Sequence, residues 1–169
     1  ESFAKKYYSE GADELLIMDC VASLYDRQNI YSIINKISKE VFVPITVGGG
    51  IRNIEHANNL FKNGADKIAV NTAVTKNPKL ISELALKFGS QSIVLSIEAK
   101  KNGENYWEAY TNTGRDHTGL NIIDWAKKGI DLGVGEILLT SIDNEGTRKG
   151  FDIELIKSFS KFLKNQNIS

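Results

Sequence analysis

Cysteine and histidine are both scarce in this 169-residue chain: one cysteine, Cys20, and two histidines, His56 and His117. One thiol can neither staple the chain nor build a cysteine-rich zinc site, and two histidines are too few for a histidine-rich metal centre. No metal and no cofactor are therefore expected, and the cysteine usage points to a reducing, cytoplasmic setting. No apolar run approaches the roughly 20 residues a membrane-spanning helix needs, and no signal-peptide pattern is visible. An excess of charge is missing too, with 21 Lys+Arg against 21 Asp+Glu. That excludes a general affinity for nucleic acid or for an anionic membrane. It leaves a local phosphate site open, because backbone N–H groups can make one without net positive charge. The chain also lacks an initiator Met and opens on Glu1 already in helical rhythm, which reads as a start in the middle of a fold.

The composition is 41% hydrophobic and 25% charged, ordinary for a globular chain and sufficient for a single domain over 1–169. Short apolar runs at 15–18, 42–47, 68–70, 93–97 and 137–139 alternate with amphipathic stretches near 28–40, 53–63, 77–88, 121–132 and 152–164. Continuously apolar strands separated by helices predict α/β architecture with parallel βα units. A four-residue motif recurs before alternate strands: Gly11-Ala12-Asp13-Glu14, Gly64-Ala65-Asp66-Lys67 and Gly133-Val134-Gly135-Glu136. Each first glycine falls where a left-handed helix cap belongs. Alternate strands of a (βα)8 (TIM) barrel send side chains into a common interior layer, so Glu14, Lys67 and Glu136 can form a cation held between two carboxylates. Simple solvation of charges at strand starts explains the same pattern.

Barrel sites lie where strands end and βα loops begin, and polar residues collect there. The run ending at Val47 passes into Gly48-Gly49-Gly50-Ile51-Arg52, where the glycines allow close backbone approach to a ligand or only a flexible turn. The next strand ends in Asn71-Thr72, suited to a phosphate or to capping. Glu98 closes an apolar strand; such a carboxylate is either an acid/base group or half of a salt bridge with Lys100 or Arg52. The last strand leads into Thr140-Ser141-Ile142-Asp143-Asn144-Glu145-Gly146-Thr147-Arg148-Lys149-Gly150, a ligand-binding loop with a second carboxylate or an exposed loop. Asp19 and Cys20 are weaker candidates. His117 lies in a polar stretch, 113–119, that follows a hairpin near Asn102-Gly103 and reads as a solvated loop or a lid.

Taken as an ordered set, Gly11-Ala12-Asp13-Glu14-Leu15, Thr46-Val47-Gly48-Gly49-Gly50-Ile51, Gly64-Ala65-Asp66-Lys67, Val70-Asn71-Thr72-Ala73 and Gly135 through Asp143 closely resemble the cyclase subunits of imidazole glycerol phosphate synthase, over essentially the whole chain. The resemblance implies a (βα)8 barrel and a lyase of histidine biosynthesis. Ammonia from a glutaminase subunit would cross the barrel and react with a phosphoribulosyl-carboxamide nucleotide, giving imidazole glycerol phosphate and aminoimidazole carboxamide ribotide. It implies Glu98 and Glu145 as the catalytic carboxylates. It implies substrate or phosphate contacts at Gly49, Gly50, Asn71, Thr72, Thr140 and Gly146, and an ammonia gate of Glu14, Lys67 and Glu136.

The family usually carries Asp where this chain has Glu98 and Glu145, which displaces each carboxylate by about 1 Å where catalytic geometry tolerates about 0.5 Å. A barrel of this kind takes about 250 residues. About five strands are legible instead of eight, with the first strand and the last two unaccounted for. The expectation is thus an incomplete barrel, or five strands rearranged into an open flavodoxin-like sheet. By itself the fragment would be inactive and would pair into a homo-dimer. A phosphate-binding module without catalysis, or a related amidation or isomerase enzyme of the same barrel family, is the alternative.

Overall fold

The computed structural model describes residues 2–19 and 28–164, and Cys20 lies outside them. Five strands run parallel in chain order: β1 (Leu15–Met18), β2 (Ile45–Gly48), β3 (Lys67–Val70), β4 (Ile93–Gly103) and β7 (Glu136–Ser141). The helices between and around them are α1 (Ser2–Ser9), α2 (Gln28–Ile37), α3 (Ile54–Lys62), a five-residue α4 (Thr72–Lys76), α5 (Lys79–Phe88), α6 (Ile122–Leu132) and α7 (Ile153–Leu163). Strands added in sequence order through right-handed crossovers put every helix on one face. That is barrel winding; a flavodoxin-like sheet needs a reversal of strand order, and none occurs among the described residues. Among the described residues β1 pairs only with β2 and β7 only with β4, so the sheet is open.

Side-chain alternation divides the sheet. Leu15, Ile45, Val47, Ile68, Ile93 and Leu95 face the helices and are buried against residues such as Ile34, Leu60, Leu84 and Trp125. The register puts Leu16, Thr46 and Lys67 together on the other face, then Met18, Gly48, Ala69, Val94 and Glu136, then Ser96 with Leu138 and Glu98 with Thr140. At the β1 edge this face is uncovered: Leu16 is 45% and Met18 40% exposed.

All three repeats of the glycine motif end helices as expected. Gly64 has φ 102°, its N–H bonds Phe61 O, and Ala65 N–H reaches back to Leu60 O. Gly11 and Gly133 repeat the pattern after α1 and α6. The strand expected over 42–47 starts later, at Ile45. Pro44 has no N–H for a ladder, and Phe42 stays 78% exposed.

The stretch read as a solvated loop or a lid is part of a β-hairpin. β4 runs four residues beyond the end of its pairing with β7. It folds back antiparallel into β5 (Tyr106–Thr111), which pairs with β6 (Asp116–Asn121). His117 is therefore a strand residue. Alternation did not reveal β6 because its register with β5 is broken between Glu108 and Tyr110.

Candidate functional site

At the N-terminal end of the open face, Lys67 Nζ donates to Glu14 Oε2 at 2.9 Å and to Glu136 Oε2 at 2.6 Å. Thr46 Oγ1 donates to Glu14 Oε1 at 2.5 Å. Glu14 stands just before β1, Lys67 begins β3 and Glu136 begins β7, so the motif brings residues from three strands into one cluster. Partial burial works against the Glu14 charge, but the bonds from Thr46 and Lys67 outweigh it and hold the carboxyl below its ordinary value. The Glu136 bond, followed by that of Glu14, outweighs desolvation and raises Lys67.

At the opposite end, Glu98 lies in register between Tyr110 of β5 and Thr140 of β7. It makes no ion pair among the described residues; Lys100 Nζ instead lies 5.6 Å from the Tyr110 ring centre. Glu98 Oε2 accepts the Gly114 N–H at 2.7 Å. Burial pushes the Glu98 carboxyl above its ordinary value and the Glu145 charge adds to that, while the Gly114 N–H and the Asn71 amide pull it back. A carboxyl held in this way can exchange a proton near neutrality more readily than a solvated one.

Asn71 and Thr72, at the end of β3, turn toward the same place. Asn71 stands before α4 without capping it and donates from Nδ2 to Tyr110 O at 3.2 Å. Thr72 Oγ1 accepts the Asn112 N–H at 3.2 Å. Gly49 and Gly50 end the neighbouring β2 with φ 100° and 57°. A Cβ on Gly49 would strike the Asp19 backbone, so that glycine serves the packing of β2's end against β1's. Across β4, Thr140 and Glu145 line a pocket of about 350 Å³ with Leu139, Phe151 and Ile156. Gly146 is exposed at φ 71° in the same loop. Asp143 serves the backbone, its Oδ2 accepting the Lys101 N–H at 2.9 Å. Glu98, Asn71, Thr72, Thr140 and Glu145 thus converge, with Gly49 and Gly50 one strand away.

The reading of residues one by one placed Gly114 in a loop or lid without its contact to Glu98, and missed Tyr110 and Glu108. The apolar run Tyr106-Trp107-Glu108-Ala109-Tyr110 carries a carboxylate in its middle, and that was the available signal.

Parallel βα units wound in order, with their polar side chains gathered where the strands end, define an α/β protein of the barrel-building class. The chain belongs to the histidine biosynthesis protein family, whose model matches residues 1–169. It is 57% identical over 161 residues to imidazole glycerol phosphate synthase subunit HisF of Legionella pneumophila, covering 95% of this chain and 76% of the relative. The subunit of the same name from Pyrococcus furiosus is 48% identical over 155 residues, covering 92% of this chain and 61% of the relative. That of Alkaliphilus metalliredigens is 42% identical over 160 residues, covering 95% and 64%. The chain therefore spans between about three fifths and three quarters of these relatives, and the resemblance read from its motifs holds along nearly all of it.

Proposed function

We propose that the chain is part of an imidazole glycerol phosphate synthase cyclase. The observation that carries the reading is the polarity of the open face. A half-buried carboxylate, Glu98, stands at the C-terminal end, and the Glu14–Lys67–Glu136 cluster stands at the N-terminal end of the same face. Small side chains, Gly48, Ala69 and Ser96, lie between them. Such a face suits passage of a small neutral nucleophile from one end to a phosphorylated substrate at the other. Gly49, Gly50, Asn71 and Thr72 would hold a phosphate, Thr140 and Gly146 would contact the rest of the substrate, and Glu98 with Glu145 would move protons. A glutaminase subunit would dock at the cluster end and supply the ammonia, in the cytoplasm.

The test is cyclisation of the phosphoribulosyl-carboxamide nucleotide with free ammonia by the intact protein. Glu98→Gln is expected to lower kcat by about 10²–10⁴-fold. The 169-residue chain alone is expected to bind phosphate without turnover. Full activity in Glu98→Gln, or no cyclisation by the intact protein, overturns the reading.

A further inference from the structure

The β5–β6 hairpin touches the site at three points, each through one of its own backbone groups. Gly114 N–H bonds Glu98 Oε2 at 2.7 Å, Asn112 N–H bonds Thr72 Oγ1 at 3.2 Å, and Tyr110 O accepts from Asn71 Nδ2 at 3.2 Å. The turn that makes two of these contacts is unusual. Asn112, Thr113 and Gly114 are all left-handed, with φ 53°, 58° and 73°. Two successive non-glycine residues in that region are held there only by surrounding structure. Part of the hold is local. The Asn112 side chain bonds Asp116, Thr113 Oγ1 bonds Asn112 O at 2.5 Å, and Arg115 N–H bonds Thr111 O at 3.0 Å.

Farther down, the hairpin encloses Glu108, a carboxylate only 5% exposed. Between the pairs Glu108↔Asn121 and Tyr110↔His117, β5 has one residue and β6 has three. The bulge leaves N–H groups of β6 without ladder partners. Glu108 Oε1 accepts two of them, from Thr118 at 3.1 Å and Gly119 at 2.8 Å, and Oε2 accepts from Asn102 Nδ2 at 2.9 Å. The His117 ring lies 3.4 Å from Oε1 and is bonded to the Tyr110 hydroxyl at 2.9 Å. Glu108 thereby ties β6 and the end of β4 to β5.

We propose that Glu108 is a positioning residue: through the hairpin it holds the Gly114 N–H on Glu98, and so aligns the acid/base carboxylate with the phosphate-binding end of β3. The inference rests on the role given to Glu98 above. It also explains how a glutamate serves there. The extra methylene carries Oε2 to the turn, where the Gly114 N–H fixes that oxygen. The other groups facing Glu98 are the Asn71 amide from β3, Tyr110 from β5, Thr140 from β7 and the Glu145 carboxylate from the loop after β7, with Lys100 next along β4 on the same side. The Gly114 N–H lowers the proton affinity of Glu98, so its loss moves the Glu98 titration to higher pH whichever protonation state does the work.

The experiment uses the intact protein. Glu108→Ala is expected to lower kcat by about 10²-fold and to raise the midpoint of Glu98 titration, followed by carboxyl-carbon NMR. Glu108→Gln keeps an acceptor for the Thr118 and Gly119 N–H groups and is expected to restore both. Glu98→Asp draws the carboxylate back from the turn without touching the hairpin. It should speed hydrogen exchange at the Gly114 amide and make a further Glu108→Ala substitution nearly without effect on kcat. An unmoved Glu98 midpoint in Glu108→Ala, unchanged Gly114 exchange in Glu98→Asp, or independent effects in the double variant overturns the proposal. Titration and exchange need no turnover, so absence of cyclase activity would sink the functional reading and leave this one to be judged by itself.

Discussion

A lysine between two carboxylates on a partly solvated face is a modest source of stability and a strong source of order. The Lys67 side chain is 21% exposed and its partners about a third, so solvent screening keeps the pairs near the usual ~0.2–1 kcal/mol each. The pH dependence has a definite sign. The Glu14 carboxyl is depressed from an ordinary value of 4.5, so its contribution is present above that value and is lost as pH falls through the folded value. Lys67 is raised from 10.5, so its contribution is complete below 10.5 and is lost as pH rises through the folded value. The cluster is therefore at full strength between about 4.5 and 10.5. Lys67→Met is expected to destabilise the protein by about 1 kcal/mol at neutral pH. It should also shrink the loss of stability on acidification below 4.5, because Glu14 then lacks the cation that favours its ionised form. Thermal melts of both proteins across the acid range decide this; parallel curves would mean that Lys67 does not bias Glu14. The cluster was legible because a motif repeating on alternate strands specifies both position and direction. The surroundings of Glu98 were legible only in part, since its contact is a backbone N–H supplied by a turn 16 residues away.

At the scale of elements, the ends of β1, β2 and β3 are joined by backbone approach as much as by side chains. Gly49 illustrates it: its φ is 100°, and a Cβ there would run into the carbonyl and N of Asp19. Gly146 has φ 71° but open space around it. Gly49→Ala is expected to cost about 1–3 kcal/mol from strain, with more from displacing Asp19. Gly146→Ala should cost no more than the left-handed penalty of about 1–2 kcal/mol. Urea denaturation of the two variants checks the order, and equal losses would remove the packing role given to Gly49. From sequence the Gly48-Gly49-Gly50 run could be placed, but a ligand cradle and a packing constraint look alike there, and only the position of Asp19 separates them. The parallel strands and main helices were legible because uninterrupted apolar runs and amphipathic periods of helical length alternate cleanly. α4 was not, being five residues with no apolar period of its own. β6 was not, because Asp116-His117-Thr118-Gly119 has the composition of a loop, and its strand character comes from pairing with β5 and from the Glu108 carboxylate.

The whole molecule has one covered face and one open face, and this has a consequence for the chain taken by itself. Among the described residues, β1 offers the unpaired edge Leu15–Met18 and β7 the unpaired edge Glu136–Ser141. Open edges recruit strands. Apolar side chains accompany both edges. Leu16 and Met18 are exposed beside β1, while Leu139 lines the pocket beside β7 with Phe151, 82% exposed, and Ile156. Exposed apolar side chains beside open strand edges favour association. Nor does charge oppose contact, since the 21 positive and 21 negative side chains balance. The helices already cover the other face, and the strand order excludes a flavodoxin-like rearrangement that would cover this one. Association is the remaining relief, and identical chains meeting through the same surface form a two-fold dimer. Light scattering on the 169-residue chain is expected to give twice the monomer mass of 18.7 kDa. Leu16→Lys together with Leu138→Lys, which places charge on the open face beside both edges, should return it to the monomer. A monomer mass for the unsubstituted chain with its sheet still open would show that the exposed edges and face do not drive association.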